Sequence, residues 1–327
     1  MQTKRIVVLG GGTGSFTLLQ SLKGLSPKIT AIVNMCDDGG STGVLRDELG
    51  VLPPGDARQC LVALSERPEI RELFDYRFDG GRLSGQSLGN IILSGLELQH
   101  GSFEKAVEVA SRILRIRGHV VPVVLGDHKL VMDDGGKEVV GQFNIRNHVV
   151  ESEAPRVRLE PVTTLNPKAN RAIRKADIVV IAPGGLYYSL LPIFSVNGMK
   201  EALQETSAQV VCVSNLIERK GRAESWHVVD HVKTIEEYVG EGTIDVVLYN
   251  NAPLEQHLIE RYAAEGDHPV LITPDRFTEI GCKAVGAPLI SPTLHVQDAA
   301  DKAIQRTLIR HDADRVSEEI AKFLTEK

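Results

Sequence analysis

Residues 5–15, RIVVLGGGTGS, decide the fold. After its first residue the run Arg5–Leu9 is continuously apolar, which is typical of a strand buried on both faces. The glycine turn Gly10–Gly14 follows, and Ser15–Leu25 then carries leucines at helical spacing. A second apolar run, Ile29–Val33, completes a strand, a turn, a helix and a strand. This order is a βαβ unit, and it predicts a parallel sheet.

The same alternation of buried strands and helices returns in the C-terminal half of the chain. Short apolar runs predict strands at Asp177–Ala182, Gln209–Val213 and Asp245–Tyr249. Apolar residues at helical spacing predict helices at Val196–Glu205, Asp230–Val239, Pro253–Ala264 and Asp312–Leu324. The sequence therefore predicts an α/β fold: a Rossmann-like, mostly parallel sheet with helices on both faces, built as a single domain over residues 1–327.

Residues 56–150 depart from this alternation. The segment before them, Asp37–Gly55, is rich in turn-forming residues and is expected to be loop. Helices come next, and then β structure at His119–Phe143 with a hairpin turn at Asp133–Gly136. The helices predicted here are Ala57–Leu64, Glu69–Phe74, Leu88–Leu98 and Phe103–Arg115. We therefore expect residues 56–150 to form a helical and β-hairpin subdomain inserted into the parallel core.

Composition excludes several classes of protein. Of 327 residues, 42% are hydrophobic and 24% are charged, which is typical of a globular chain. The chain has 37 Lys and Arg against 43 Asp and Glu, and only 5% aromatic residues, so we expect no nucleic-acid partner. The four cysteines form no C-x-x-C pair, which argues against a disulfide framework or a thiolate zinc site. No apolar run approaches the length of a membrane span, and the first strand begins at Arg5, so we expect a cytoplasmic protein with no membrane span.

The glycine turn is the first candidate binding site. Glycines let the backbone approach a ligand closely, and the N-terminus of the following helix presents free N–H groups that suit phosphate. Gly10 and Gly12 fit the pattern G-x-G-x-x-G, Ser15 replaces its third small residue, and the P-loop lysine is missing. The alternative is a purely structural tight turn. The residues predicted to contact phosphate are Gly10, Gly11, Gly12, Thr13, Gly14 and Ser15.

Two acidic loops follow the second strand. Asp37 and Asp38 come where an acid could bind a ribose, hold a divalent metal or cap the next helix. Asp56 lies on a proline-constrained loop. If the loops meet, Asp37 or Asp38 together with Asp56 would hold Mg²⁺ against a phosphate, with Arg46 and Arg58 as phosphate partners. The alternatives are a solvated turn and ordinary salt-bridge arginines.

Further polar residues are expected to converge at the carboxyl ends of the strands, where ligands bind in open α/β sheets. Gly85–Gly89 match the G-x-S-x-G nucleophile elbow, but loop rather than strand precedes Ser87, which argues against a hydrolase serine. His227 and His231 have no third metal ligand and are expected at the surface. The remaining nucleotide-binding candidates are Asn34, Ser41, Thr42, Ser87, Asn90, Gly184, Gly185, Asn215 and Arg310.

These motifs together resemble a known family. GGGTG, DDGGSTGVLR, PPGDARQCL, GQSLGN, PGGLYYSLLP and IRHD occur in the order seen in the YvcK/CofD-like family, across nearly the whole chain. The resemblance implies a Rossmann-like core that binds a nucleotide or nucleotide sugar. PGGLYYSLLP and IRHD are closer to the bacterial gluconeogenesis factors, for which it implies UDP-sugar binding and a regulatory role in carbon metabolism, cell shape and envelope synthesis. One departure is the charged stretch 216–224 after Asn215, which lacks the Gln-Pro-Gly element expected there.

Two other functions stay open. In the transferase branch of the family, the resemblance implies Mg²⁺-dependent transfer of a phospholactyl group from a guanosine diphosphate carrier to a deazaflavin alcohol. An NAD-dependent oxidoreductase would use the glycine turn and the acid after the second strand, but no hydride-transfer constellation is recognisable. Mg²⁺ is the cofactor expected, and we expect no covalent cofactor. A homodimer and a regulatory protein partner are expected besides the nucleotide or nucleotide sugar.

Overall fold

The computed structural model describes residues 3–218, 226–295 and 308–325. Within these ranges seven strands form one parallel sheet, and shorter strands form a three-stranded and a two-stranded sheet. In chain order the strands are β1 (Arg5–Gly10), β2 (Lys28–Val33), β3 (His119–Pro122), β4 (Lys129–Asp134), β5 (Lys137–Val140), β6 (Arg156–Glu160), β7 (Ile178–Ile181), β8 (Gln209–Val213), β9 (Ile217–Glu218), β10 (Val246–Asn250), β11 (His268–Pro269) and β12 (Lys283–Ala287).

Helices flank the main sheet. α1 packs against α3 and α13, while α10 packs against α8 and α11. A π-helical turn spans Leu186–Leu190, and 3₁₀ turns span Gly81–Leu83 and Pro274–Glu279. The helices are α1 (Gly12–Leu25), α2 (Gly40–Leu49), α3 (Gly55–Leu64), α4 (Pro68–Asp75), α5 (Leu88–His100), α6 (Phe103–Leu114), α7 (Gln142–Asn147), α8 (Pro167–Arg174), α9 (Leu191–Phe194), α10 (Met199–Gln204), α11 (Val228–Val239), α12 (Gln256–Glu265) and α13 (Ala313–Thr325).

The order of the strands locates a ligand crevice. Across the main sheet the order is β12-β10-β8-β7-β1-β2-β3, and every neighbouring pair is parallel. The chain winds outward from β1 to β3 and then returns to place β7 on the other side of β1. The carboxyl ends of β1 and β7 therefore flank a topological switch point, where open α/β sheets bind ligands. The predicted Rossmann-like α/β fold is confirmed.

The burial of β1 and β7 follows from their sequences. Five of the six residues of β1 and all four of β7 are buried, because helices cover both faces of a central parallel strand. Leu18, Leu19 and Leu22 of α1 are fully buried. Within the described ranges no helix is long and apolar enough to cross a membrane.

The segment 56–150 is divided between two sheets. Its β3 pairs in parallel with β2 and forms the edge of the main sheet. The predicted hairpin at Asp133–Gly136 is present as β4 and β5, and Gly135 and Gly136 have the positive φ values that its turn requires. The antiparallel partner β6, which sequence reasoning overlooked, completes the small sheet.

Sequence reasoning missed four of the helices, which are α2, α7, α8 and α9, and it assigned the first residues of α7, Gln142 and Phe143, to β structure. The stretch Asp37–Gly55, expected to be loop, contains α2, whose Thr42 and Leu45 are buried. Burial against neighbouring elements outweighs the turn preferences of its glycines and Ser41. α8 was also overlooked, although Asn166 accepts the N–H of Lys168 as N-cap and Pro167 occupies the first turn. That asparagine–proline pair is a helix-start pattern that is visible in the sequence.

Candidate nucleotide site

A cavity of about 220 Å³ opens at the switch point between β1 and β7. Its lining comes from the loops after β1, β2, β7 and β8, from α7, β9 and the first turns of α1 and α3, and from the segment before α13. Ten of the predicted site residues line it: Gly11, Gly12, Thr13, Gly14, Asp37, Asp56, Gly184, Gly185, Asn215 and Arg310. The topology therefore brings distant parts of the chain to one place.

The glycine turn is held between two neighbours. A Cβ on Gly11 would lie 2.0 Å from Oδ2 of Asp56, and a Cβ on Gly14 would lie 1.8 Å from the carbonyl oxygen of Pro183. Gly12 has a φ of +64°, which favours glycine. Close packing of helix against loop, the role of the third small residue in the dinucleotide pattern, falls here on Gly14 and not on Ser15.

The first turn of α1 is built like an anion site. The N-cap residue, Gly11, has no side chain that could cap this helix, and no acidic residue lies in its first turn. The positive end of the helix dipole therefore lies at the glycine turn that lines the cavity. This arrangement suits a phosphate or diphosphate group.

Asn215 joins the loops after β7 and β8. Its Oδ1 accepts the N–H of Gly184 at 2.9 Å, and its Nδ2 donates to the carbonyl of Gly184 at 2.9 Å. The side-chain amide of Asn215 thus forms two hydrogen bonds with the backbone of a single residue, Gly184. Gly184 and Gly185 are fixed by this pair, so Asn215 positions the wall of the cavity opposite the glycine turn.

Two of the three predicted metal ligands line the cavity. Asp37 and Asp56 do so, and a Cβ on Gly55 would lie 2.9 Å from Oδ2 of Asp37. Burial raises the pKa of Asp37, while hydrogen bonds from the Gly39 N–H and from Thr42 act in the opposite direction. Among the residues that the structure describes, no group of three His, Cys, Asp or Glu could hold a metal ion.

Asp38 has a different role. Its Oδ2 accepts the N–H of Gln142 at 2.9 Å, and its Oδ1 accepts the N–H of Phe143 at 2.7 Å. The carboxylate caps the start of α7 and not that of the next helix, α2, which was the helix considered from the sequence. It holds α7 beside the cavity and does not line the cavity itself.

The other predicted residues lie around the cavity and not in its lining. Arg46 pairs with Asp127 and Arg58 pairs with Asp75, so both arginines form salt bridges, the alternative considered for them. Ser41 donates to Gln86 and accepts from Nδ2 of Asn90, and Ser87 donates to the carbonyl of Phe74. This network ties α2 to the start of α5. The residues outside the lining are Gly10, Ser15, Asn34, Asp38, Ser41, Thr42, Arg46, Arg58, Ser87 and Asn90.

Asn34 and Ser15 lie buried behind the glycine turn. The side chain of Asn34 lies next to Gly11, where an added Cβ would be 3.4 Å from its own Cβ. Within the described part of the chain, neither the amide of Asn34 nor the hydroxyl of Ser15 has a hydrogen-bond partner. Buried polar atoms without partners are costly, so these two groups have capacity for water or a ligand next to the turn.

Sequence reasoning missed an aromatic and cationic pair at the cavity. The guanidinium of Arg146, on α7, lies 5.6 Å from the ring centre of Tyr188. The ring also covers Gly185 so closely that an added Cβ would lie 1.9 Å from it. Arg146 and Tyr188 both line the cavity. LYY directly after PGG was the available sequence indication for Tyr188, whereas nothing near Arg146 marked it.

The prediction that both His227 and His231 lie at the surface is wrong for His231. Its side chain is buried, its ring lies 4.9 Å from that of Trp226, and its Nε2 lies 3.0 Å from Oε2 of Glu218. His231 lies on the buried face of α11, together with apolar residues such as Val228, Val232 and Ile235. The predicted alteration of loop 216–224 falls largely outside the described residues, because 219–225 are not among them.

Arg310 and His311 reach the cavity through backbone pairing. The N–H of Ser291 donates to the carbonyl of Arg310, and the N–H of Asp312 donates to that of Leu289. The imidazole of His311 is buried, and its Nε2 lies 3.1 Å from the carbonyl of Ser214. Burial lowers the pKa of His311 to about 4, because a charged ring at this buried position would lack the water that stabilises it.

His311→Gln is expected to make the protein less sensitive to acid. The unfolded chain takes up a proton near pH 6.5 and the folded chain only near pH 4, so His311 costs stability as the pH falls between these values. At pH 5 this cost is about 2 kcal/mol. Urea denaturation at pH 7 and pH 5 should show a loss of unfolding free energy that is smaller by this amount in the variant, whose amide can still donate to Ser214. Equal losses in both proteins would contradict the assignment.

Comparisons with known proteins agree on one family. The family described as “2-phospho-L-lactate transferase CofD” matches residues 6–290. A protein of Halalkalibacterium halodurans named “Gluconeogenesis factor” is 37% identical over 98% of this chain and 96% of its own length. One of that name from Bacillus subtilis is 33% identical over 99% of both chains. A crystal structure of a UPF0052-family protein from Bacillus halodurans superposes with a TM-score of 0.89 at 35% identity, covering 98% of this chain and 99% of the other.

Proposed function

Because the chain belongs to the CofD family, in which its relatives include gluconeogenesis factors, we propose that it is a regulatory protein that binds a nucleotide sugar of the UDP-sugar class. Its role would lie in carbon metabolism, cell shape and envelope synthesis. The observation that carries the proposal is the cavity at the switch point, which is lined by the glycine turn at the start of α1, by Arg310 and by the loop that Asn215 holds.

Each wall of the cavity would contact a different part of the nucleotide sugar. The N–H groups at the start of α1 and the guanidinium of Arg310 would hold the diphosphate, since both favour anionic oxygens. Tyr188 lines the same space, and an aromatic side chain there suits contact with the base or the sugar. Mg²⁺ is not needed for this binding mode, because phosphate charge is met by the helix and the arginine.

Arg310→Gln is expected to weaken UDP-N-acetylglucosamine binding by about tenfold or more, because a charge-assisted hydrogen bond to phosphate is lost. Isothermal titration calorimetry measures this directly. The matched control is Arg261→Gln, since Arg261 is exposed on α12 and does not line the cavity. Absence of saturable binding by the unaltered protein to any uridine nucleotide sugar would overturn the proposed function. Equal affinity of both variants would overturn the role of Arg310.

A second function is favoured by one observation, the presence of two carboxylates beside the glycine turn. Asp37 and Asp56 both line the cavity, and carboxylate oxygens together with phosphate oxygens and water are the ligands that Mg²⁺ prefers. The donor set therefore fits one ion, which would supply charge neutralisation of a diphosphate leaving group. Such a protein would be a 2-phospho-L-lactate transferase-like enzyme. Failure of the purified protein to turn over lactyl-diphosphoguanosine with a deazaflavin alcohol and Mg²⁺ would exclude it.

A further inference from the structure

A second cavity lies at the opposite end of the sheet from the candidate nucleotide site. Its volume is about 1000 Å³, and its floor includes the first residues of β1, β2 and β3. Its two walls are α6 and α8, which present residues three, four or seven apart, and hence one face of each helix. We call this trench between α6 and α8 the basic groove.

The basic groove carries an excess of positive charge that the rest of the chain does not share. Seven Lys and Arg line it against three Glu, although the whole chain has a net charge of −6. At one end Lys168 is neutralised by Glu104 at 2.9 Å and Glu108 at 2.8 Å. The other six cations are exposed, and their side chains make no ion pair or hydrogen bond within the described ranges. They are Arg5, Lys28, Arg112, Arg115, Arg171 and Lys175.

Helix dipoles explain only part of this cluster. Four of the six cations, Arg112, Arg115, Arg171 and Lys175, lie in or just after the last turns of α6 and α8, where cations are favourable. Arg5 and Lys28 begin strands, where no helix dipole acts on them in this way. Bringing the like charges of four elements together costs energy unless an anion binds between them.

The local backbone indicates which anion fits. The open end of the groove adjoins the carboxyl ends of α6 and α8 and the beginnings of strands, so it lacks the free N–H groups that bind a small phosphate. An anion in the groove must therefore be bound by the side chains of several cations and not by backbone N–H groups. Along α6 the lining runs from Glu104 to Arg115, about 16 Å, which is the length of roughly five residues of extended peptide. The apolar residues of the lining that are partly exposed include Ile116 and Ala172, on which alternate side chains of such a segment could pack.

From this combination we infer that the basic groove binds an acidic peptide segment of a partner protein. Carboxylates spaced along an extended chain would meet the cations of α6, α8 and the strand ends, while intervening apolar side chains contact Ile116 and Ala172. The site is separate from the nucleotide cavity, so it would let a partner bind at one end of the sheet while a ligand binds at the other.

The test uses a fluorescein-labelled peptide of about ten residues, in which glutamate alternates with serine or valine, and measures fluorescence anisotropy. We expect saturable binding that weakens with salt and that falls about tenfold in the double variant Arg115→Glu and Arg171→Glu. The milder pair Arg115→Gln and Arg171→Gln should cause a smaller loss. Thermal unfolding of each variant checks that the fold is kept.

The matched control is the double variant Arg82→Glu and Arg261→Glu, in which both altered arginines are exposed and lie outside the groove. It changes the net charge equally and should bind the peptide like the unaltered protein. Equal weakening in both double variants, or absence of saturable binding, would overturn the inference. Inorganic tripolyphosphate or a thymidine oligonucleotide that competes as well as unlabelled peptide would also overturn it, in favour of a small anion or a nucleic acid.

Discussion

Gly14→Ala is expected to lower the free energy of unfolding by about 3 kcal/mol and to abolish nucleotide-sugar binding. The new Cβ would lie 1.8 Å from the carbonyl oxygen of Pro183 and 2.9 Å from its carbonyl carbon. These are backbone atoms, so no side-chain rotation can relieve the contact. The start of α1 must move away from the loop after β7, and both are walls of the cavity. Urea denaturation and calorimetry with UDP-N-acetylglucosamine measure the two effects.

The same helix provides a control. Gly24 lies in α1 with no atom near the position of an added Cβ, and it does not line the cavity. Gly24→Ala should leave binding unchanged and raise stability by up to about 1 kcal/mol, because alanine has the higher helix propensity. A stable, ligand-binding Gly14→Ala variant would mean that the two loops do not approach as closely as the structure shows.

The strand order explains why so much of the fold could be predicted from the sequence. Buried parallel strands such as β1 and β7 are continuous apolar runs, and such runs are visible without knowledge of their neighbours. The convergence at their carboxyl ends then follows from topology, which is why Gly184 and Asn215 could be placed near the glycine turn. β6 and α2 were missed because their positions depend on packing partners that local sequence does not name.

The site was less predictable because many of its residues are polar, and a polar side chain can line a cavity, cap a helix or form a salt bridge. Asp37 and Asp38 are adjacent in sequence, yet one lines the cavity and the other caps α7. Arg58 follows Asp56 by two residues, yet Asp56 lines the cavity and Arg58 forms a salt bridge with Asp75 outside it. Only the fold determines which way each of these side chains points. Arg146 lay in a segment assigned to the insertion, so nothing near it in sequence connected it to the switch point.

Asn215→Asp is expected to lower the free energy of unfolding by about 2 kcal/mol and to weaken nucleotide-sugar binding strongly. The change keeps the size of the side chain and the acceptor for the Gly184 N–H. It replaces the Nδ2 donor by an oxygen that faces the carbonyl of Gly184 from 2.9 Å, so one hydrogen bond becomes a repulsion. Gly184 and Gly185 would then move from the position opposite the glycine turn. Denaturation and calorimetry at pH 7 give the two magnitudes.

Two further measurements separate this cause from a general effect of added charge. Asn251→Asp adds the same charge at an exposed asparagine just after β10, outside the cavity, and should change neither property. At a pH low enough to protonate the introduced carboxyl, its hydroxyl can donate to the Gly184 carbonyl, and part of the lost stability relative to the unaltered protein should return. Because only the donor is restored by this step, a stability difference that stays constant with pH would show that the reciprocal pair with Gly184 does not hold the loop.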